Sequence, residues 1–410
     1  MWNKPWGLRD GFAICGGLIA AGLMLQLAVG PVDWSVVSWP ANIILMVVYL
    51  VAIGVVYALR RRIYLCEWLM HYQAAVSSLA CAAVLTLIMG LTPQLSFSSG
   101  EVGVPGLSRM LSFWPFVLTY TLMTTVVGLV AVQRIVNFRI GNIGVILNHL
   151  GLFIFLVSAT LGSADIQKLH MTARLGSPEW RATDEKGNIV ELPIAIELSE
   201  FTIDEYPPKL MLVDNETGKV LPEGKPVHIL LEDDLVDGDL LDWHISIGKK
   251  IDMAAQVATA DTLNYVEWHS MGATYATLVE AENCLTHSKM TGWISCGSFM
   301  FPYKALKLDD KCSLVMPERE PRKYSSAVHV YTKAGAAFDG VIEVNKPLDV
   351  EGWDVYQLSY DESKGRWSEI SIFELVRDPW LPVVYVGIVM LLAGAVCTFT
   401  IGRSRKEEEK

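Results

Sequence analysis

The 410 residues contain no Cys-x-x-Cys pair, which excludes thioredoxin-type dithiol chemistry, and no Cys-x-x-Cys-His, so the chain is not itself a c-type cytochrome. Also missing are a phosphate-binding glycine loop, a Gly-x-Ser-x-Gly elbow and a His-Glu-x-x-His helix. Their absence, with that of a cytoplasmic domain of any size, argues against ATP-driven transport and cytoplasmic signalling by this chain alone. Charge is sparse and uneven: 19% of residues are Asp, Glu, Lys or Arg, and six long stretches hold none of them.

Those six stretches are Phe12–Val29, Asn42–Leu59, Gln73–Leu91, Phe113–Val132, Ile143–Leu161 and Leu381–Ile401. Crossing a hydrocarbon core takes about 20 mostly apolar residues in a helix, so each is read as a transmembrane helix. Cations of the short loops then set the orientation. Lys4, Arg9, Arg60, Arg61, Arg62, Arg134, Arg139, Arg403, Arg405 and Lys406 fall on one side, and only Arg109 on the other. Both termini are therefore expected in the cytoplasm, with no cytoplasmic domain of any size. The span near the N-terminus is long and ends in a poor processing site, Leu-Gln-Leu-Ala-Val-Gly-Pro, so a retained helix is expected.

This divides the chain into a membrane domain with five helices (1–162), an extracytoplasmic domain (163–377), and a sixth helix with a cytoplasmic tail (378–410). The middle segment carries 36 acidic and 21 basic residues. Such a balance disfavours nucleic acid and anionic lipid surfaces and suits a basic soluble client. Its apolar residues alternate over Leu192–Ile203, Leu241–Ile247, Ala327–Tyr331, Gly340–Val344, Asp354–Leu358 and Glu369–Leu375. Short runs of period two separated by Gly, Pro, Asn and Asp read as antiparallel strands. The fold class is thus an α-helical membrane protein with six transmembrane helices plus one β-rich domain of sandwich or open-barrel type. A helical insertion is expected near Asp252–Glu282. Cys284, Cys296 and Cys312 lie in this segment, an odd number that allows at most one disulfide among them.

His149 is the ionisable residue set well inside a span, seventh of nineteen in the fifth and roughly 10 Å deep at 1.5 Å per residue. Ionisable groups at such depth are costly and face protein, water or a cofactor. Gly144, Gly151 and Ser158 recur every seven residues on the opposite face, where small side chains let helices approach closely. From the residues alone, His149 reads as a cofactor ligand, a hydrogen-bonded core histidine or a proton relay. His71 starts the third span at the cytoplasmic surface; it reads first as interfacial and is kept as a candidate cofactor ligand. His170 lies just past the fifth span and is kept as a second candidate ligand. The other histidines, His228, His244, His269, His287 and His329, show no metal-type spacing, and His244 and His329 are expected on the wetter faces of their strands.

The C-terminal part resembles the ResB (CcsB) family of cytochrome c biogenesis proteins. The resemblance is carried by Asn345, Pro347 and Leu348, by Gly352, Trp353, Tyr356, Gln357 and Tyr360, and by Asp378, Pro379, Trp380 and Pro382 ahead of the last helix. It extends to Leu192-Pro193, Phe201 and Tyr206-Pro207, and to Leu147-Asn148-His149-Leu150-Gly151, which is similar to the family's histidine-bearing helix. Where the family carries a Gly-Ala pair and often an Arg after that helix, this chain has Ser158-Ala159-Thr160-Leu161-Gly162-Ser163.

The resemblance implies a subunit that moves haem across the bacterial inner membrane and presents apocytochrome c outside. His149 would be one axial ligand to haem b, and therefore a ligand of its iron. A separate CcsA-type membrane protein with a tryptophan-rich loop would supply the rest, since that loop is not found here. Implied partners are this protein, an apocytochrome c bearing Cys-x-x-Cys-His, thiol-reducing proteins indirectly, and membrane lipid. No catalytic residue is evident, so the chain is at most a subunit of a holocytochrome c synthase. Two alternatives stand beside this: a cytochrome b-type electron-transfer subunit, and a non-catalytic anchor with a docking β domain.

Overall fold

Apolar helices of membrane length and a run of alternating strands cannot share one core, and the chain separates accordingly into two compact units. One is Lys168–Val376; the other comprises the chain before and after it. The computed structural model describes residues 4–95, 106–232, 236–258 and 263–408.

The helical unit contains α1 (Leu8–Val29), α2 (Ala41–Leu59), a short α3 (Tyr64–Trp68), α4 (Tyr72–Leu91), α5 (Trp114–Val136), α6 (Ile143–Gly162) and α7 (Leu381–Glu408). Among the described residues, six helices are long and apolar enough to cross a membrane, all but α3. The chain is a membrane protein. Helix α5 opens with Pro115 in its first turn, a position where the missing N–H costs nothing. It runs one turn beyond Val132 to include Arg134, whose long stem can carry its charge toward a polar boundary.

Glycines set the crossing of α6 and α7. A methyl group at Gly151 of α6 would come within 2.7 Å of the Gly387 carbonyl oxygen of α7, and one at Gly144 within 2.7 Å of Thr398 Oγ1. From the other side, a methyl at Gly387 would meet the Phe155 backbone nitrogen at 2.8 Å. The two backbones touch, as small residues in register permit. At the end of α6 a single carboxylate ties three elements. Asp165 accepts from the Trp39 N–H (2.6 Å), Asn42 Nδ2 (2.6 Å) and Trp380 Nε1 (2.8 Å). These bonds join the start of α2, the end of α6 and the approach to α7. Replacing Asp165 with Ala strands all three donors and is expected to cost roughly 2–4 kcal/mol. A detergent-solubilised thermal melt checks this; an unchanged midpoint would remove the knot from the stabilising contacts.

Strands of the second unit are numbered in chain order. Eight form one sheet in the order β15 (Ala337–Glu343), β14 (Pro321–Thr332), β3 (Ile189–Glu205), β2 (Pro178–Thr183), β1 (Gln167–Arg174), β18 (Ile370–Arg377), β17 (Trp353–Tyr360) and β16 (Leu348–Val350). All eight send apolar side chains into one interior, among them Met171, Ala182, Ile196, Val330, Ile342, Val350, Val355 and Phe373. A sheet whose every strand feeds one core has curled nearly closed; the Leu348 side chain lies against Gly340, across from the first edge. The strands leading from α6 and into α7, β1 and β18, are neighbours in this sheet.

The remaining strands form two five-stranded sheets. One has β7 (Asp237–Leu240), β8 (Trp243–Ala258), β9 (Leu263–Glu267), β10 (Thr274–Asn283) and β11 (Lys289–Ser295); the other has β4 (Lys209–Asp214), β5 (Val220–Leu221), β6 (His228–Leu230), β12 (Leu306–Lys307) and β13 (Cys312–Val315). Leu210, Leu212 and Leu314 of one sheet share a core with Ile245, Val279 and Ile294 of the other, in the manner of a sandwich.

One expectation fails here. The described part of Asp252–Glu282 is not helical but consists of β8, β9, β10 and a turn at 268–273, and 259–262 lie outside the described residues. Thr274, Tyr275, Ala276 and Thr277 are buried in succession. A strand covered on both faces loses its alternation and reads as a continuous apolar run, and the alanines of 254–260 reinforce the helical look.

Candidate functional site

His149 lies in the second turn of α6 and is half-buried. Its Nδ1 is 2.9 Å from the Val145 carbonyl oxygen one turn earlier. A carbonyl only accepts, so Nδ1 carries the proton and donates it. Nε2 is then the atom with a lone pair, and no hydrogen bond reaches it among the described residues. This is the arrangement an imidazole needs to bind a metal: one nitrogen anchored to the backbone, the tautomer fixed, the other free.

The helix also fixes which way the ring looks. Phe153, four residues on, shares its face. Phe153 stacks on Tyr49 of α2 with ring centroids 6.2 Å apart, and it packs beside Gly128 of α5. The imidazole is therefore on the side of α6 toward α2 and α5, while Gly144 and Gly151 occupy the side held by α7. The residues present fit a single axial imidazole ligand. Among the described residues, no group of three or more His, Cys, Asp or Glu is arranged to hold a metal ion.

His71 is the exposed residue immediately before α4, and no hydrogen bond or ring contact joins it to His149. Close to it in sequence, the buried Trp68 Nε1 and Gln73 Oε1 have no hydrogen-bond partner among the described residues. His170, on β1 of the other unit, is exposed, with Nε2 3.8 Å from Glu374 Oε1 of β18. The sequence candidates are thus three separate positions, of which His149 has one ring nitrogen tied to the backbone and the other without a hydrogen bond among the described residues. His244 bonds Asp239 at 2.7 Å and His329 bonds Asp339 at 2.6 Å, both on outward faces of their strands.

The signature residues near the C-terminus build the barrel-like sheet. Asn345 adopts φ +64°, a left-handed conformation that asparagine tolerates, and Pro347 follows before β16. Glu351 and Gly352 both have positive φ, 50° and 79°, and link Val350 to its partner Trp353. Two such residues in succession make the tight turn whose twist suits a hairpin. Tyr356 pairs with Glu374 across β17 and β18. Gln357 is buried and crosses the interior: its Oε1 accepts from Ser326 Oγ at 2.6 Å, and its Nε2 donates to the Ser359 carbonyl at 3.0 Å. Ser326 in turn meets Ser371 Oγ at 2.7 Å, so the amide joins β14, β17 and β18. Asp378 caps the last helix by accepting from the Trp380 and Leu381 N–H groups at 3.0 and 3.1 Å. Pro379 follows the cap, and Pro382 sits in the first turn, where proline is tolerated. Each of these residues shapes backbone; none presents a reactive group.

Sequence reasoning missed the Asp165 knot. The available signal was an unpaired acid directly after a charge-free span, together with a tryptophan at the mouth of the next one.

Residues 290–368 match the model of the ResB-like family. No curated protein matches the chain.

Proposed function

We propose, for a chain whose residues 290–368 match the model of the ResB-like family, a role as the ResB-type half of a haem-delivery and haem-attachment complex. That family is associated with cytochrome c biogenesis. In this reading the membrane is the bacterial cytoplasmic membrane, both termini are cytoplasmic, and 163–377 is extracytoplasmic. The observation that carries it is His149, whose Nδ1 is fixed on Val145 while Nε2 is left with its lone pair.

Haem b is the cargo. His149 holds its iron from one side, and a CcsA-type partner with a tryptophan-rich loop supplies the opposite ligand. The β unit presents the reduced Cys-x-x-Cys-His segment of an apocytochrome c, kept reduced by separate thiol-reducing proteins. The client's thiols then add to the vinyl groups of the cargo. This chain supplies one ligand and positioning, which alone can account for a large part of a rate enhancement.

The test is an absorption spectrum of the purified chain, alone and co-expressed with the partner. Haem is expected with the partner and at least tenfold less without it. Redox-active haem bound by two histidines of the chain alone would instead mark an electron-transfer subunit. A haem-free complex would leave only a docking anchor.

A further inference from the structure

Where the ends of β3 and β17 approach the start of β10, a half-open cavity of about 370 Å³ enters the β unit. Glu205 lies within it, its side chain 13% exposed. Oε2 of Glu205 faces Arg319 Nη1 at 3.3 Å and Arg366 Nη1 at 3.9 Å. Both are longer than the roughly 2.7–2.9 Å of a well-made charge-assisted bond, and Oε1 has no partner among the described residues. Both guanidiniums are also engaged elsewhere. Arg319 donates to the Tyr206 carbonyl and to Asp252, and Arg366 rests on Met253 Sδ. Burial lifts the Glu205 carboxyl above the ordinary glutamate value, and the two arginines oppose that rise.

The rim is acidic and aromatic. Glu318 and Glu362 stand exposed on it with no ion-pair partner among the described residues; Tyr360, which also lines the cavity, packs its ring on Phe201 and Tyr324, and its hydroxyl donates to nothing described. The Tyr360 hydroxyl is held above its usual pKa, first by burial and then by neighbours that include Glu362, Glu205 and Glu318. Lys364 also lines the cavity, but it is paired with Glu369 at 2.7 Å, as Arg319 is with Asp252 at 3.3 Å, so the lining charges left without an ion-pair partner among the described residues are the carboxylates of Glu318 and Glu362. Carboxylates left without partners around an aromatic ring are the surroundings in which an ammonium or guanidinium group is bound.

We propose that this cavity seats a lysine or arginine side chain from an extended segment of a polypeptide partner, its head group between Glu205, Glu318 and Glu362 and against the ring of Tyr360. The excess of acid over base in 163–377 favours approach of a basic chain. Glu318, Tyr360 and Glu362 all come from the segment that matches the family model. Identifying the partner as the cytochrome client rests on the function proposed above; the preference for a cation does not.

Cys296, half-buried in the cavity wall, gives a local readout. Its carbamidomethylation by iodoacetamide can be followed by peptide mass spectrometry in the full-length protein, in a Cys284→Ser background, with trilysine or triglutamate at equal ionic strength. Trilysine is expected to slow modification at least fivefold and triglutamate not at all. The double variant Glu318→Gln/Glu362→Gln, both exposed and structurally idle, should lose most of that protection with an unchanged melting temperature. Equal protection by both peptides, protection by triglutamate alone, no protection, or full protection in the double variant would each overturn the proposal. Haem content of the assembled complex is scored separately. Its absence alongside intact protection overturns only the haem function, and the reverse overturns only the cation site.

Discussion

His149→Gly should strip haem from the complex of this chain with the proposed CcsA-type partner by at least tenfold while leaving the helical unit folded. Added imidazole at millimolar concentration should restore most of it. The substitution removes a half-buried ring whose one bond is to its own helix, so the structural loss is limited to a small void and a glycine cost of about 1 kcal/mol in a helix interior. The ligand loss has no such cushion. On the proposed reading Nε2 is the atom that would meet the iron, and the space left by the ring is the right shape for free imidazole. Restoration by imidazole, and not by an equally basic amine that cannot fit, separates lost ligation from misfolding. Haem content unchanged in the variant would mean that the imidazole is a core residue whose bond to Val145 is its whole purpose.

Gly151→Leu should be among the most damaging single changes in the helical unit. Its first carbon would already fall 2.7 Å from the Gly387 carbonyl oxygen and 2.9 Å from the Leu391 nitrogen. Both are backbone atoms, which cannot swing aside as a side-chain tip would. The helices must part, at a cost of about 3 kcal/mol or more by overpacking, or a fall in melting temperature on the order of 10 °C for a unit of this size. Gly54→Leu is the control, since nothing lies within 4 Å of a methyl group there. If both variants melt together, the α6–α7 crossing does not depend on glycine.

The spans were legible because their defining property, some twenty residues without a charge, is local to the sequence. The strands were legible where one face met solvent. The alternation of Asp354–Leu358 belongs to β17 and that of Glu369–Leu375 to β18, each within a residue or two of its observed limits. The same rule failed at Thr274–Thr277, where burial on both faces erased the period. His149 could be singled out because an ionisable group within a charge-free helix is conspicuous. What singles it out geometrically, Nδ1 bound to Val145 and Nε2 left over, depends on a rotamer that no spacing encodes. The cavity around Glu205 was illegible for another reason. Its walls come from five segments far apart in the chain, and no spacing in the sequence brings Glu205, Glu318 and Glu362 together.

The most direct test is a structure of the assembled complex with haem bound, read at His149. The expected result is iron within coordinating distance of Nε2, with Nδ1 still donating to the Val145 carbonyl. An imidazole turned to lipid, or packed among apolar side chains with no porphyrin in reach, would contradict it.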